Sequence, residues 1–283
     1  MRDHEPMKQG PVTATTDRVI IAGAGHSGVA VAAGLRARGW EGGILLLDAE
    51  KETPYERPPL SKELLKDGAS DESAVLRKEK FYLDKGIDRL AGITADSIDR
   101  QGRTVLLSDG SRHAYHRLVI ATGSRARPLT VPGAGLGGVM SLRTREDALE
   151  LKRLLVRGAR VAIIGAGYIG LEVAAAAAAK GCEVTVLEFQ DRVMSRVTSA
   201  PVSHHFEQLH GRNGVRFVFG AAVTAIEGGG RAERVVTADG RVFLPTSYWP
   251  ESGCCPTRSW PRKPGSNAGT ASSWTGTAGP QTL

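Results

Sequence analysis

Cysteine is scarce in this 283-residue chain: only Cys182, Cys254 and Cys255 occur. No two of them form a C-x-x-C pair, and nothing has the spacing of a metal site, so a dithiol centre and a zinc module drop out. No apolar run approaches the roughly 18 residues that a membrane helix needs. Residues 1–17 are polar and mixed in charge, without the apolar centre of a secretion signal. The expectation is a reduced, soluble, cytoplasmic protein with no membrane contact. The net charge of +7 comes from Lys and Arg scattered among acids. It suits solubility or the steering of anions rather than nucleic acid. Glycine, by contrast, is plentiful at 35 residues and follows no triplet repeat, which points to tight turns and close backbone approach. A chain of this length holds about two domains.

Two glycine-rich segments organise it. Arg18 to Ala22 reads as a buried parallel strand, followed by Gly23-Ala24-Gly25-His26-Ser27-Gly28 and an Ala- and Leu-rich helix to Ala37. In such a fingerprint the first glycine makes the turn, the second lets backbone approach a pyrophosphate, and the third lets helix and strand pack. The helix start offers free N–H groups and partial positive charge to phosphate. A second strand, Gly43 to Leu47, ends at Asp48-Ala49-Glu50, about where an acid accepts ribose hydroxyls. Glu50 is the preferred acceptor and Asp48 the runner-up. The pattern repeats: strand Arg160 to Ile164, turn Gly165-Ala166-Gly167-Tyr168-Ile169-Gly170, an Ala-rich helix to Lys180, and strand Glu183 to Leu187 ending at Glu188. A carboxylate at Glu188 favours a free ribose 2′-OH over a 2′-phosphate, hence NADH over NADPH, although Arg192 and Arg196 stand nearby. Two fingerprints imply two dinucleotides, a flavin and a nicotinamide passing electrons between them. The fold expected is α/β: two Rossmann-like three-layer domains, one over 18–124 that binds FAD and is incomplete, one over 125–245 that binds NAD(P), with disordered segments at 1–17 and 246–283.

Between them stands Pro54-Tyr55-Glu56-Arg57-Pro58-Pro59-Leu60-Ser61-Lys62. The prolines stiffen this loop, Arg57 carries a fork suited to pyrophosphate, and Lys62 falls early in a helix expected over Ser61 to Leu65. Together with the first fingerprint, this loop resembles the flavin-binding half of the FAD-dependent ferredoxin/rubredoxin reductase-like family, within the pyridine nucleotide-disulfide oxidoreductases. The strand Leu118-Val119-Ile120 and its turn Ala121-Thr122-Gly123-Ser124 resemble the family's Ala-Thr-Gly segment beside the flavin. The resemblance covers residues 18 to about 244. It implies that the loop lies against FAD with Lys62 near the reactive ring, and that Glu172 meets the nicotinamide region and pairs with Lys62 between the domains. On the residues alone, Glu172 is equally an ordinary helix-surface acid. The implied activity is hydride transfer from NADH to FAD, then electron transfer to a ferredoxin- or rubredoxin-type partner. With no Cys pair after the first fingerprint, a thiol–disulfide route is disfavoured. His204, His205 and His210 lack acid or Cys partners at ligand spacing, so no metal is expected.

After about Pro245 the character changes. Residues 246–283 hold one acid, Glu251, against five Pro, five Gly and twelve Ser or Thr, which reads as a disordered tail. The resembled family continues instead with a strand, a Gly-x-Gly-x-x-Pro stretch and a Gly-Asp motif. With GC-rich codons assumed, a one-base shift over 245–265 spells Asp-Val-Val-Leu-Ala-Gly-Val-Gly-Leu-Leu-Pro-Asp-Thr-Glu-Leu-Ala-Glu-Glu-Ala-Gly-Leu, and the same shift over 270–276 spells Gly-Ile-Val-Val-Asp-Gly. The expectation is an out-of-frame tail, with weakened FAD binding and impaired activity as its consequence; the nucleotide sequence decides it. The alternative function is a non-catalytic nucleotide-binding protein or a nonfunctional fragment.

Overall fold

The computed structural model describes residues 17–68, 74–244, 247–250 and 254–256. The first unit begins with β1 (Arg18–Ala22), α1 (His26–Ala37) and β2 (Gly43–Asp48). It continues with α2 (Glu79–Asp84), β3 (Ile87–Ala91), β4 (Ala95–Asp99), β5 (Thr104–Leu107), β6 (Arg112–Ala114), β7 (Arg117–Ile120) and β8 (Ser124–Ala126). The second contains α3 (Arg145–Leu154), β9 (Arg160–Ile164), α4 (Tyr168–Ala179), β10 (Glu183–Leu187), α5 (Ala200–Arg212) and β11 (Val215–Val218). Three short strands, β12 (Val223–Glu227), β13 (Arg234–Thr237) and β14 (Val242–Phe243), follow, and then β15 (Ser247–Pro250) and β16 (Cys254–Pro256).

Both units solve the same packing problem. The apolar strands β1 and β2 pair in parallel from Arg18 with Gly43 to Ala22 with Leu47, and β7 flanks β1 on its other side. The sheet order is β3-β2-β1-β7, and the second sheet runs β11-β10-β9-β15. In each, the fingerprint strand lies where neighbouring strands leave in opposite directions, the crevice where open α/β sheets bind ligands. One face of the first sheet buries Val19, Ile21, Ile44 and Leu46 with Val29 and Ala32 of α1. Its other face buries Ile20 and Leu45 against Val105 and Leu107 of the antiparallel β4-β5-β6 sheet. In the second unit Val161, Ile163 and Val184 pack on Val173, Ala174 and Ala177 of α4. There Ala162 and Leu187 pack on the β12-β13-β14 side through Ile226 and Val235. These are the two three-layer Rossmann-like units expected.

One expectation needs correction. Residues Ser61 to Leu65 do not form one helix. Two 3₁₀ turns, Pro58–Ser61 and Glu63–Leu65, meet at Lys62, whose backbone (φ −122°, ψ −97°) is not helical. Pro58 and Pro59 start the first turn, and the bonds from Lys62 N–H to Pro59 and from Leu65 N–H to Lys62 span three residues, the tighter 3₁₀ pattern. Within the tail, β15 pairs in parallel with β9 and β16 antiparallel with β8. Residues 1–16, 69–73 and the rest of the tail lie outside the described residues. The chain also crosses its own boundary: Tyr55, Leu60, Leu64, Leu65 and Ala74 pack in the core of the second unit with Leu151, Val161 and Ile163. The proline loop thereby ties the two units together.

Candidate active site

The first cleft opens at the end of β1, lined by Gly23, Ala24, Gly25, His26 and Ser27, by Asp48 and Glu50, by Tyr55 and Arg57, and by Ala121, Thr122 and Gly123. Its glycines divide the work. Gly23 has φ +110°, and a methyl there would stand 2.2 Å from the Ala121 carbonyl oxygen. A methyl on Gly28 would stand 1.8 Å from the Gly23 carbonyl oxygen, whereas Gly25 faces nothing within 4 Å. Gly25 also begins α1 with no side-chain cap and no acid in the first turn. The first N–H groups, His26 and Ser27 being exposed, are therefore presented to the cleft, a setting that binds anions.

At the end of β2 the two candidate acids separate. Asp48 is buried, pairs with Arg89 at 3.1 Å and accepts the Glu50 N–H at 3.2 Å. Burial pushes its carboxyl above the usual range despite both contacts. Glu50 faces the cleft, ion-paired with Arg57 Nη2 and accepting from the Tyr55 hydroxyl. Arg57 Nη1 donates to Tyr55 Oη at 2.7 Å and to the Arg143 carbonyl. The Arg57 fork is thus turned onto Glu50 and the start of the second unit rather than left pointing at a phosphate. Burial, first, raises the Tyr55 phenol and keeps it protonated.

The second cleft is a variation. Gly165 has φ +102°, and its N–H donates to the Leu187 carbonyl at 2.8 Å, as Gly23 N–H does to Leu47 at 3.0 Å. Gly167 starts α4 without a side-chain cap, Tyr168 is 57% exposed, Ile169 packs on the core and Gly170 is buried. Glu188 accepts the Ala166 N–H at 2.7 Å and the Gln190 N–H at 2.8 Å, holding the glycine turn against the strand end. Arg192 donates to the carbonyls of Thr198 and Ser195 and to Ser203 Oγ, so its guanidinium is spent on its own loop, while Arg196 is exposed. Between the units, Lys62 Nζ lies 3.0 Å from Glu172 Oε1, and Ser61 Oγ donates to Glu172 Oε2. The expected pair between the units is formed.

The histidines do not converge: His210 is buried among Phe206 and Phe217, and burial pushes its pKa down, while His204 contacts Gln208. No group of three or more metal-ligating side chains occurs among the described residues. Cys182 is buried and its thiol is pushed up by that burial, a packing residue. No helix among the described residues is long and apolar enough to cross a membrane.

This pairing of two glycine clefts has relatives. Residues 17–248 match the pyridine nucleotide-disulphide oxidoreductase family. The chain belongs to that family. The chain is 44% identical over 227 residues to the probable ferredoxin reductase CtmF of Castellaniella defragrans, covering 80% of this chain and 56% of the relative. It is 42% identical over 210 residues to a rubredoxin-NAD(+) reductase of Pseudomonas putida, covering 74% and 54%. The crystal structure of a ferredoxin reductase from Rhodopseudomonas palustris superposes with a TM-score of 0.82 at 42% identity, covering 84% of this chain and 59% of that one. The chain spans about half the length of the curated relatives it matches. Within the first cleft, sequence reasoning missed Tyr55 and the Arg143–Arg145 backbone. A tyrosine two residues before an arginine in a proline-stiffened loop was the available signal; the Arg143 carbonyl, 86 positions from Arg57, offered none.

Proposed function

We propose that these residues form the nucleotide-binding part of an FAD-dependent, NADH-oxidising reductase of the cytoplasm that serves a small ferredoxin- or rubredoxin-type acceptor. The observation that carries the reading is the Lys62–Glu172 pair at 3.0 Å, which joins the proline loop to the helix that follows the second glycine turn. FAD fits the first cleft: Gly25 leaves space for a pyrophosphate, α1 presents uncapped N–H groups, and Glu50 stands at the strand end for a ribose. Arg57, Ala121, Thr122 and Gly123 wall the same cleft. Gly165, Gly167, Tyr168, Ile169 and Gly170 with Glu188 offer the equivalent surface to NADH. With Arg192 engaged in its own loop, only Arg196 of the two nearby arginines is left to favour a 2′-phosphate. The two cofactors, when bound, supply hydride and single-electron chemistry; the chain's part is placement. Lys62 holds positive charge and Glu172 negative charge where the proline loop meets α4, and Ser61 fixes the carboxylate. The likeness to a probable ferredoxin reductase and a rubredoxin-NAD(+) reductase supports the acceptor class.

The test is a flavin absorption spectrum of the protein after loading with FAD, followed by bleaching on addition of NADH or NADPH under anaerobic conditions. Bleaching by NADH at lower concentration than by NADPH supports the reading; a loaded protein that neither cofactor bleaches overturns it. A second outcome follows from the pair itself. Lys62 is 43% exposed on its side chain, so Lys62→Met is expected to change stability by less than about 1 kcal/mol. The same change is expected to slow flavin reduction in stopped flow by about 10-fold or more, since positioning is what it removes.

A further inference from the structure

Tyr55 lies outside both fingerprints, yet its hydroxyl sits at the crossing of four groups. It is adjacent to Glu50 Oε2, to Arg57 Nη1 at 2.7 Å and to the Arg145 N–H at 2.8 Å; the fourth group, the Arg143 carbonyl, is reached through Arg57. A tyrosine hydroxyl has one proton to give and two lone pairs. Arg57 and the Arg145 N–H are donors only, so they fill the lone pairs and the single proton goes to Glu50. The hydroxyl therefore has one orientation, and it fixes the carboxylate it serves. The ring is 6% exposed and lies under the Arg57 guanidinium, 4.8 Å from ring centroid to Cζ, so neither partner is free to turn. Glu50 takes one contact on each oxygen, Arg57 on Oε1 and Tyr55 on Oε2. A carboxylate has about four acceptor positions, so each oxygen of Glu50, which lines the cleft, keeps a further one beside the contact it makes. That is the geometry that receives two adjacent hydroxyls.

The other end of the network reaches the second unit. Arg145 is the first residue of α3, whose cap, Thr144, accepts the Asp147 N–H. The Arg145 N–H is one of the donors a helix start leaves without an intrahelical partner, and Tyr55 satisfies it. Ala148 and Leu151 of α3 are in the core around β9. We infer that Tyr55 is a positioning residue, which presets Glu50 for the vicinal diol of a bound nucleotide and ties that acid to the start of α3. The inference rests on the proposal that the first cleft holds FAD.

The test uses the full chain and compares the wild type with Tyr55→Phe, which keeps the ring and loses only the hydroxyl. FAD affinity is read from flavin fluorescence quenching, with an FAD analogue lacking both hydroxyls of the adenosine ribose as the second probe. The expected result is a fall of about 10-fold in affinity for FAD with no change for the analogue, together with at least 10-fold faster hydrogen exchange at the Arg145 N–H in the variant. Equal FAD affinity in the two proteins overturns the inference and leaves the functional reading standing. Equal losses for FAD and analogue also overturn it, since the hydroxyl then acts on the whole cleft and not through the diol. A wild type that quenches neither probe overturns the functional reading, and the inference with it. Should Tyr55→Phe fold poorly, the wild type alone decides: it must bind FAD about 10-fold tighter than the analogue, and equal affinities overturn the preset diol site.

Discussion

Gly28→Ala is expected to lower the midpoint of thermal unfolding by roughly 10 °C, while Gly25→Ala, three residues earlier, leaves it within about 2 °C. The difference lies in what a methyl meets. At Gly28 it would stand 1.8 Å from the Gly23 carbonyl oxygen and 3.4 Å from Ile21 Cγ2. The first of these is backbone, so no rotamer relieves it, and α1 must move off β1. Overpacking costs about 1–3 kcal/mol, and a backbone obstacle puts this case near the top of that range. At about 2–4 °C per kcal/mol for a chain of this size, the shift follows. Gly25 has φ −72° and ψ −172°, a conformation alanine adopts freely, and nothing lies within 4 Å of its added methyl. Its methyl instead fills the space across which a pyrophosphate approaches, so FAD affinity is expected to fall by about 10-fold or more at unchanged stability. Circular dichroism melts and FAD titrations of the two variants separate the effects. A Gly25→Ala protein that binds FAD like the wild type removes the reading of that glycine as a phosphate-approach position.

That contrast also marks what the residues alone disclose. Strands β1, β9 and β10 run over the residues expected of them, because each is an apolar run bounded by a turn and needs no distant partner to be recognised. The β4-β5-β6 layer escaped notice. Ala95–Asp99 is half-exposed along its length, and only its packing on Ile20 and Leu45 makes it a layer. The glycines of both clefts were legible because their job is local. The identity of the acid was legible only as a preference, since Asp48 and Glu50 differ by two positions and not in chemistry. What separates them is Arg89, 41 residues from Asp48, which takes Asp48 into the interior and leaves Glu50 for the cleft. Lys62 and Glu172 came together in the reading only through a family resemblance. Their contact depends on the proline loop leaving its own unit to pack beside Leu151 and Val161, and no local pattern encodes that.

The Asp48–Arg89 pair beneath Glu50 carries the second large effect. Both side chains are about one-tenth exposed, 11% for Asp48 and 10% for Arg89, and Arg89 also donates to the Glu52 carbonyl and reaches Glu79 at 3.4 Å. Breaking such a pair from one side leaves an uncompensated buried charge and costs about 3–5 kcal/mol, whereas replacing both partners is nearly neutral. Arg89→Met is therefore expected to lose about 3 kcal/mol at pH 8, and Asp48→Asn with Arg89→Met to recover most of it. The pH dependence has a definite sign. Burial, the largest influence, raises the Asp48 carboxyl above its unfolded value even with Arg89 present. Above the raised pKa, Asp48 is ionised in both states, and the cost of burying its charge falls on the folded state alone. As pH falls through the folded pKa, the folded state takes up the proton first and that cost is relieved. Removing Arg89 raises the carboxyl further, so the deficit of Arg89→Met should shrink between pH 8 and pH 5.5 in urea unfolding, and the double variant should show no such trend. A deficit that stays constant with pH, or a double variant as weak as the single, would mean that Asp48 is not the charge that Arg89 compensates. Because Asp48 also accepts the Glu50 N–H, the same single variant should loosen the strand end that presents Glu50 and weaken FAD binding at pH 8. That loss joins the buried pair to the site above it.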